Sequence, residues 1–325
     1  MGRKLFLAAM VVLALGVASS AGAGPTGRIP GARGVPSCAA AGPYWPTMTL
    51  ALVGNSAWIA CKEQSRLIRL ALPGGRRTAS RRLDGQVTAV AVGLGSLWAL
   101  DTGSTLYRLD PKTGKVVRRI QTGASAAYNI WIGGGSVWVA DDRGGTVLRI
   151  SPATNRVIAR IPVGDGPADM VFSGSRAWVV THRDNTIYGI DLGRNRAQRL
   201  ATIEDANAAA ERFALLAGSL WVTGRGVQLV ELDPATGEVR RTLGIGGTGI
   251  DVVAAGGALW IPVRTAAVDR SGFPTMTAVQ RVQPDGAVTT VASAVGRVDL
   301  HGLAAGLGAV WLSDNTNGVL YRLPT

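Results

Sequence analysis

The sequence is poor in the residues that build most metal and nucleophile sites. It has two Cys and two His in 325 residues. Two Cys exclude a disulfide-dense scaffold and a Cys-based zinc module. Two His leave few routes to a His-rich metal centre or a hydrolytic triad. There is no G-x-x-x-x-G-K-[ST], no H-E-x-x-H and no C-x-x-C. The string Ile132-Gly133-Gly134-Gly135-Ser136 leads into a Trp-bearing apolar run rather than a helix, so it reads as a hairpin and not as a phosphate cradle. Only 17% of residues are charged while 47% are hydrophobic, a balance that excludes a disordered chain.

Long apolar runs are missing, with one exception. Leu5 to Val17 follows Arg3 and Lys4 and precedes Ala21-Gly22-Ala23. The run falls short of the roughly 20 residues of a membrane span and has the layout of a secretory signal peptide; an uncleaved anchor is the alternative. Residues 1–23 are therefore assigned to the signal. The remainder is expected to be secreted, periplasmic or held in the cell envelope, with no span left after cleavage. Sustained helical periodicity is lacking too. Its nearest approach, the Ala-rich Asp205 to Leu216, reads as a short turn of helix in a longer connection.

What the chain has in quantity is Gly, with 44, and Trp, with nine, of which seven recur. Trp58, Trp98, Trp138, Trp178, Trp221, Trp260 and Trp311 are spaced by 40, 40, 40, 43, 39 and 51 residues, the period of propeller blades. Trp45 and Trp131 stand outside that register. The unit from Val87 holds four short apolar runs, placed at 88–92, 96–100, 105–109 and 115–121. Gly93-Leu94-Gly95, Asp101-Thr102-Gly103-Ser104 and Asp110-Pro111-Lys112-Thr113-Gly114 separate them. Period-two runs with such punctuation are antiparallel strands, and four make one blade. The fold expected is an all-β, seven-bladed propeller over residues 47–325, with the recurring Trp packed between blades.

The last unit stops at Thr325, one strand short. Residues 24–46 are the spare segment, and part of Arg28 to Pro36 is expected on the outer edge of the seventh blade, where its prolines are tolerable. Cys61 ends a second strand, and Cys38 lies in a connection that crosses the same face. A Cys38–Cys61 disulfide would then pin the closing segment, worth about 3 kcal/mol in the chain-entropy model. Two free buried thiols are the alternative.

The repeat G-x-G-S-[LV]-W-[VA]-x-D, then L-x-R-[IL]-[DS]-P-x-T-[GN]-x-V-x-R-x-I, resembles bacterial secreted and periplasmic propellers of the YVTN and virginiamycin B lyase-like superfamily. The resemblance runs from about residue 47 to the end and rests on packing and turn residues. It implies the propeller fold. Within that superfamily the streptogramin lyases are enzymes that use Mg and a set of His and Glu at the central funnel, whereas many members have no known catalysis.

Aligning the units on the marker Trp brings the starts of the innermost strands together at one mouth: Thr88, Tyr128 with Asn129, Asp169, Glu211 with Arg212, Asp251, and Asp299 with His301. Hard carboxylates suit Mg or Ca, with Glu211 and Asp251 the metal candidates, and His301 could serve as base. The plainer alternative is that these Asp accept backbone N–H bonds in tight connections. His182 falls on a loop of the same face. An insertion from Arg264 to Met276 explains the 51-residue interval and is either a contact loop or a tolerated lengthening.

Arg76, Arg77, Arg81, Arg82, Arg118, Arg119, Arg156, Arg160, Arg194, Arg196, Arg199, Arg240 and Arg241 fall in or near outermost strands. They make a basic belt in a chain of net charge +13. It either meets an anionic envelope polymer or protects edges from pairing; no basic helix or aromatic RNA motif points to nucleic acid. The functional expectation is a scaffold that binds a small molecule or an envelope protein through its top face and funnel. The alternatives are an Mg-dependent lyase or hydrolase and a purely structural envelope protein.

Overall fold

A computed structural model of the chain describes residues 33–36, 38, 49–204, 209–264, 276–296, 298–314 and 317–325. They form seven antiparallel sheets arranged as propeller blades, each running from an innermost strand A to an outermost strand D, in chain order in blades one to six. Blade two is representative: A is Val87–Gly93, B Ser96–Asp101, C Thr105–Leu109 and D Val116–Gln121. Blade six differs in that its innermost strand is split into Thr248–Gly249 and Val253–Ala255, both paired with Ala258–Arg264.

The seven marker Trp residues explain the ring. Each pairs across its blade with a residue of strand A that is small or branched, such as Ala51, Ala91, Val171 and Ala214, except that Trp138 faces Trp131. Each then packs into the next blade. Trp58 joins Leu97, Ala99 and Leu109 of blade two, and Trp98 joins Val137, Val139 and Ile150 of blade three. The circle closes where Trp311 of blade seven packs on Ile59, Ile68 and Leu70 of blade one. Five of the seven are among the largest fully buried side chains. Truncating such a Trp to Ala typically costs about 3–5 kcal/mol.

Arginines cover the outer side of this core. Arg108 lies 5.4 Å from the centre of the Trp98 ring and Arg149 lies 5.3 Å from that of Trp138. Both guanidinium groups donate onward to the C–D turn of the following blade, at the carbonyls of Pro152 and Leu192. Two indoles point differently. Trp98 and Trp138 donate to Gly93 and Gly133 of their own blades, whereas Trp58 and Trp178 donate across to Pro111 and Pro234. The turn opposite decides this for Trp58: a Cβ on Gly114 would come within 2.4 Å of the indole. Blades three and four carry Asn155 and Asn195 there instead, and each side-chain oxygen accepts from the bridging arginine.

Ring closure follows the sequence expectation. Arg33–Pro36 pairs antiparallel with Val319–Pro324 and supplies the fourth strand of blade seven. Residues 28–32 of the expected closing segment, and the whole signal-peptide pattern, lie outside the described residues. Cys38 and Cys61 form a disulfide. Cys61 stands where blades two, three and seven have Asp101, Asp141 and Asp314, buried carboxylates that accept turn N–H groups after strand B. In blade one the covalent bond occupies the place of that cap.

The helical turn expected at Asp205 to Leu216 is corrected. Ala209–Leu216 is a strand, the innermost of blade five, paired with Ser219–Arg225. Ala-rich local propensity yields here to pairing within the ring; residues 205–208 lie outside the described residues. The insertion expected to form a loop in blade six falls at 265–275, also outside them. No helix among the described residues is long and apolar enough to cross a membrane.

Candidate functional site

Innermost strands begin with a β-bulge in five of the seven blades. The extra residue falls at Thr88, in Tyr128–Asn129, and at Ala168, Glu211 and Gly302. A bulge re-aims side chains at the place where pairing starts. Here it turns Thr88, Tyr128, Asn129, Asp169 and Arg212 into a funnel of about 600 Å³ at one end of the ring, where Asp251 joins them from the break in the innermost strand of blade six. Lys62, Asp142 and His182, from the loops after strands B, complete the rim. The volume suits a drug-sized molecule or a short peptide.

The floor is a charge cluster. Arg212 pairs with Asp251, its Nε 3.6 Å from Asp251 Oδ1, and Asp169 lies near enough to act on it electrostatically. Asp169 Oδ1 accepts from the indole N–H of Trp131 at 2.7 Å and from its neighbour Met170, and Oδ2 accepts from Phe213 N at 2.8 Å. Asp251 Oδ1 accepts from Val252 N and Oδ2 from Leu303 N at 3.2 Å. Three of these bonds, from Trp131, Phe213 and Leu303, run between neighbouring blades, as does the bond from Val90 N to the Thr49 hydroxyl at 3.0 Å. The floor residues therefore stitch neighbouring innermost strands together.

Burial pushes the Asp169 carboxyl up to about 6, with Arg212 and the Phe213 N–H opposing and the nearby Asp251 adding to the rise. Arg212 is driven the other way from what desolvation alone would do: Asp251, Asp169 and Glu211 outweigh its burial and hold the guanidinium more firmly protonated. Asp169 keeps its proton in the folded state at pH values where an unfolded carboxyl, near 3.9, has lost it. By linkage this group makes stability fall as pH rises from about 4 through about 6, by up to about 3 kcal/mol for two units. Urea unfolding of the wild type and of Asp169→Asn at pH 4, 5, 6 and 7 checks this. The wild type should lose ground against the variant across that window. A difference that does not move with pH rules out the raised carboxyl.

At the rim, His182 Nε2 is 2.9 Å from Asp142 Oδ1, and Arg183 bridges Asp142 and Asp165. Asn129 donates to the carbonyl of Ala168 at 2.9 Å. Tyr128 is 47% exposed, which leaves its ring open to a ligand at the mouth.

Of the residues named from sequence, Thr88, Tyr128, Asn129, Asp169, Arg212, Asp251 and His182 line the funnel. Glu211 and Asp299 do not line it; Asp299 pairs with Arg264 instead. His301 lies in strand Leu300–Gly306 opposite Ser313. Sequence reasoning missed Lys62, Asp142 and Trp131. Trp131 had a visible signal, because it stands out of the Trp register where other blades carry a small or branched residue.

A divalent ion fits this floor poorly. The oxygens of Asp169 and Asp251 already accept N–H bonds, and the Arg212 guanidinium pairs with Asp251 and acts on Asp169. Among the described residues no three His, Cys, Asp or Glu side chains converge as a metal site requires.

No protein-family model matches the chain, and no curated protein matches it in sequence. Solved structures do. Virginiamycin B lyase from Staphylococcus aureus is 15% identical, with 90% of this chain and 99% of that chain covered at a TM-score of 0.73. A catalytically inactive variant of that lyase with quinupristin is 14% identical, covering 86% and 96% at a TM-score of 0.70. BamB from Moraxella catarrhalis is 14% identical, covering 86% and 83% at a TM-score of 0.60. At such identities the likeness is one of fold, and a lyase and BamB sharing it shows how little the fold says of chemistry.

Proposed function

We propose that the mature chain, from residue 24 onward, is an extracytoplasmic propeller scaffold that binds a small peptide-like or zwitterionic ligand in its funnel. The disulfide and the signal-peptide pattern support the compartment. One observation carries the reading: the floor carboxylates are spent on backbone N–H groups and on Arg212. The funnel then offers aromatic faces at Tyr128 and Trp131, cations at Arg212 and Lys62, and the solvent-facing edges of the already paired Asp142 and Asp251 carboxylates, with no open coordination site among them. A ligand carrying both signs of charge and an apolar body meets each of these groups. The same face could receive such a segment from an envelope protein.

The competing reading is an Mg-dependent lyase with His301 as base beside Glu211 and Asp251, and its support is the fold shared with virginiamycin B lyase. Native mass spectrometry against a di- and tripeptide library plus quinupristin, with and without Mg, tests both. The scaffold reading expects a ligand retained at unchanged mass, with occupancy falling at least tenfold in Tyr128→Ala. A ring-opened or cleaved product that forms with Mg and disappears with chelator would replace the scaffold by the lyase.

A further inference from the structure

Blade four breaks the arginine pattern at two positions, and a cleft opens where it does. In strands C of blades one, two, three, six and seven, an arginine stands directly opposite the marker Trp: Arg69, Arg108, Arg149, Arg281 and Arg322. In blades one to three that guanidinium reaches the next blade's turn, at the carbonyls of Lys112, Pro152 and Leu192. Opposite Trp178, strand C of blade four (Thr186–Asp191) has Gly189. Strand B of the same blade changes too. Ser96 and Ser136, which accept from the arginine Nε in blades two and three, give way to Arg176.

The unfilled arginine place is a cleft of about 390 Å³ between blades four and five. Gly189, Ala197, Leu200 and, across the gap, Ala235 line it, and Arg176, Arg194 and Arg196 stand around it. Asp191 is the one acid in the lining, and its oxygens are already engaged. Oδ1 accepts from the backbone of Gly193 and Arg194, and Oδ2 from the Arg194 side chain. Arg176 and Arg196 flank Asp191 in register across the three strands, so their side chains share its face of the sheet. Neither makes an ion pair or a side-chain hydrogen bond among the described residues.

We propose that this cleft binds an organic anion, with a phosphate or carboxylate held between Arg176 and Arg196 and a small planar or apolar body lying over Gly189 and Leu200. Two uncompensated guanidinium groups exclude a cationic occupant, although the space is that of a missing guanidinium. The apolar floor distinguishes the site from the rest of the basic belt, which would attract bare anions equally well.

The repeat supplies a test that keeps the fold. In Gly189→Arg the atoms nearest the new Cβ belong to the flexible Leu200 side chain, the closest at 3.0 Å. Blade one already holds the required pair, with Trp58 bonded to Pro111 and Arg69 to Lys112. The introduced guanidinium has the matching acceptor in Ala235, next to the Pro234 that Trp178 engages. Calorimetric titration of the full chain uses phenyl phosphate, inorganic phosphate and benzylammonium as probes. Phenyl phosphate should bind saturably, one per chain, at least tenfold tighter than inorganic phosphate, and benzylammonium should not bind. Gly189→Arg and the pair Arg176→Ala with Arg196→Ala should each weaken phenyl phosphate at least tenfold, with the Tm of Gly189→Arg unchanged or higher. No saturable binding, equal affinity for inorganic phosphate, or undiminished binding in Gly189→Arg overturns the proposal.

Discussion

Arg212→Met should destabilise the protein by about 3–5 kcal/mol at pH 8, the usual cost of removing one partner from an enclosed charge cluster. The variant keeps the apolar stem and loses the charge, so packing changes little. Asp169 and Asp251 then face each other with no cation between them, and only a proton can replace it. The loss should therefore be smaller at pH 5, where Asp169, already raised to about 6, is protonated in the folded state. Urea unfolding at the two pH values reads the difference. Equal losses at pH 5 and pH 8 would mean that Arg212 acts through packing alone. The same variant should lose ligand occupancy in the funnel, because the guanidinium is the floor's cation.

Cys61→Ser should cost about 3 kcal/mol, the chain-entropy value for a loop of this size. The bond spans 23 residues and anchors the segment whose strand Arg33–Pro36 completes blade seven. Its loss acts on both ends of the ring. Amides of the strand Val319–Pro324 should exchange faster, because their outer neighbour is no longer tethered. Unfolding midpoints of wild type and variant should coincide in strong reductant and separate without it. Coincidence in both conditions, or two reactive thiols in the denatured, unreduced wild type, would remove the disulfide from the account of stability.

Both predictions concern places where the ring is closed or pinned, and these were unequally legible. The blade repeat, the Trp register, the missing last strand and the Cys pair could all be read from spacing, because each blade repeats the same local solution to burying a Trp. Asp169 and Asp251 were legible as residues near the funnel, and the plainer reading of them, acceptors of backbone N–H bonds, describes their contacts. Glu211 and Asp299 looked equivalent in the alignment but do not line the funnel. A bulge sits at Glu211, so Arg212 rather than Glu211 enters it, and Asp299 is drawn to Arg264.

The sequence by itself determined the fold, the number of blades and the order of closure. Periodic apolar strands, turn residues at fixed offsets and one register Trp per unit favour a ring that covers the strand edges and buries those seven indoles. Tertiary structure alone decided the chemistry of the surface. A one-residue bulge changes which side chain enters the funnel, and no local preference marks it. The direction of Trp58 depends on whether the turn of the next blade has a Cβ, 56 residues away at Gly114. Strand Ala209–Leu216 is extended despite its alanines because its pairing partners, not its own propensity, satisfy its backbone. These outcomes depend on atoms that meet only when adjacent blades pack, and pairwise contact across a ring is information that a linear pattern does not carry.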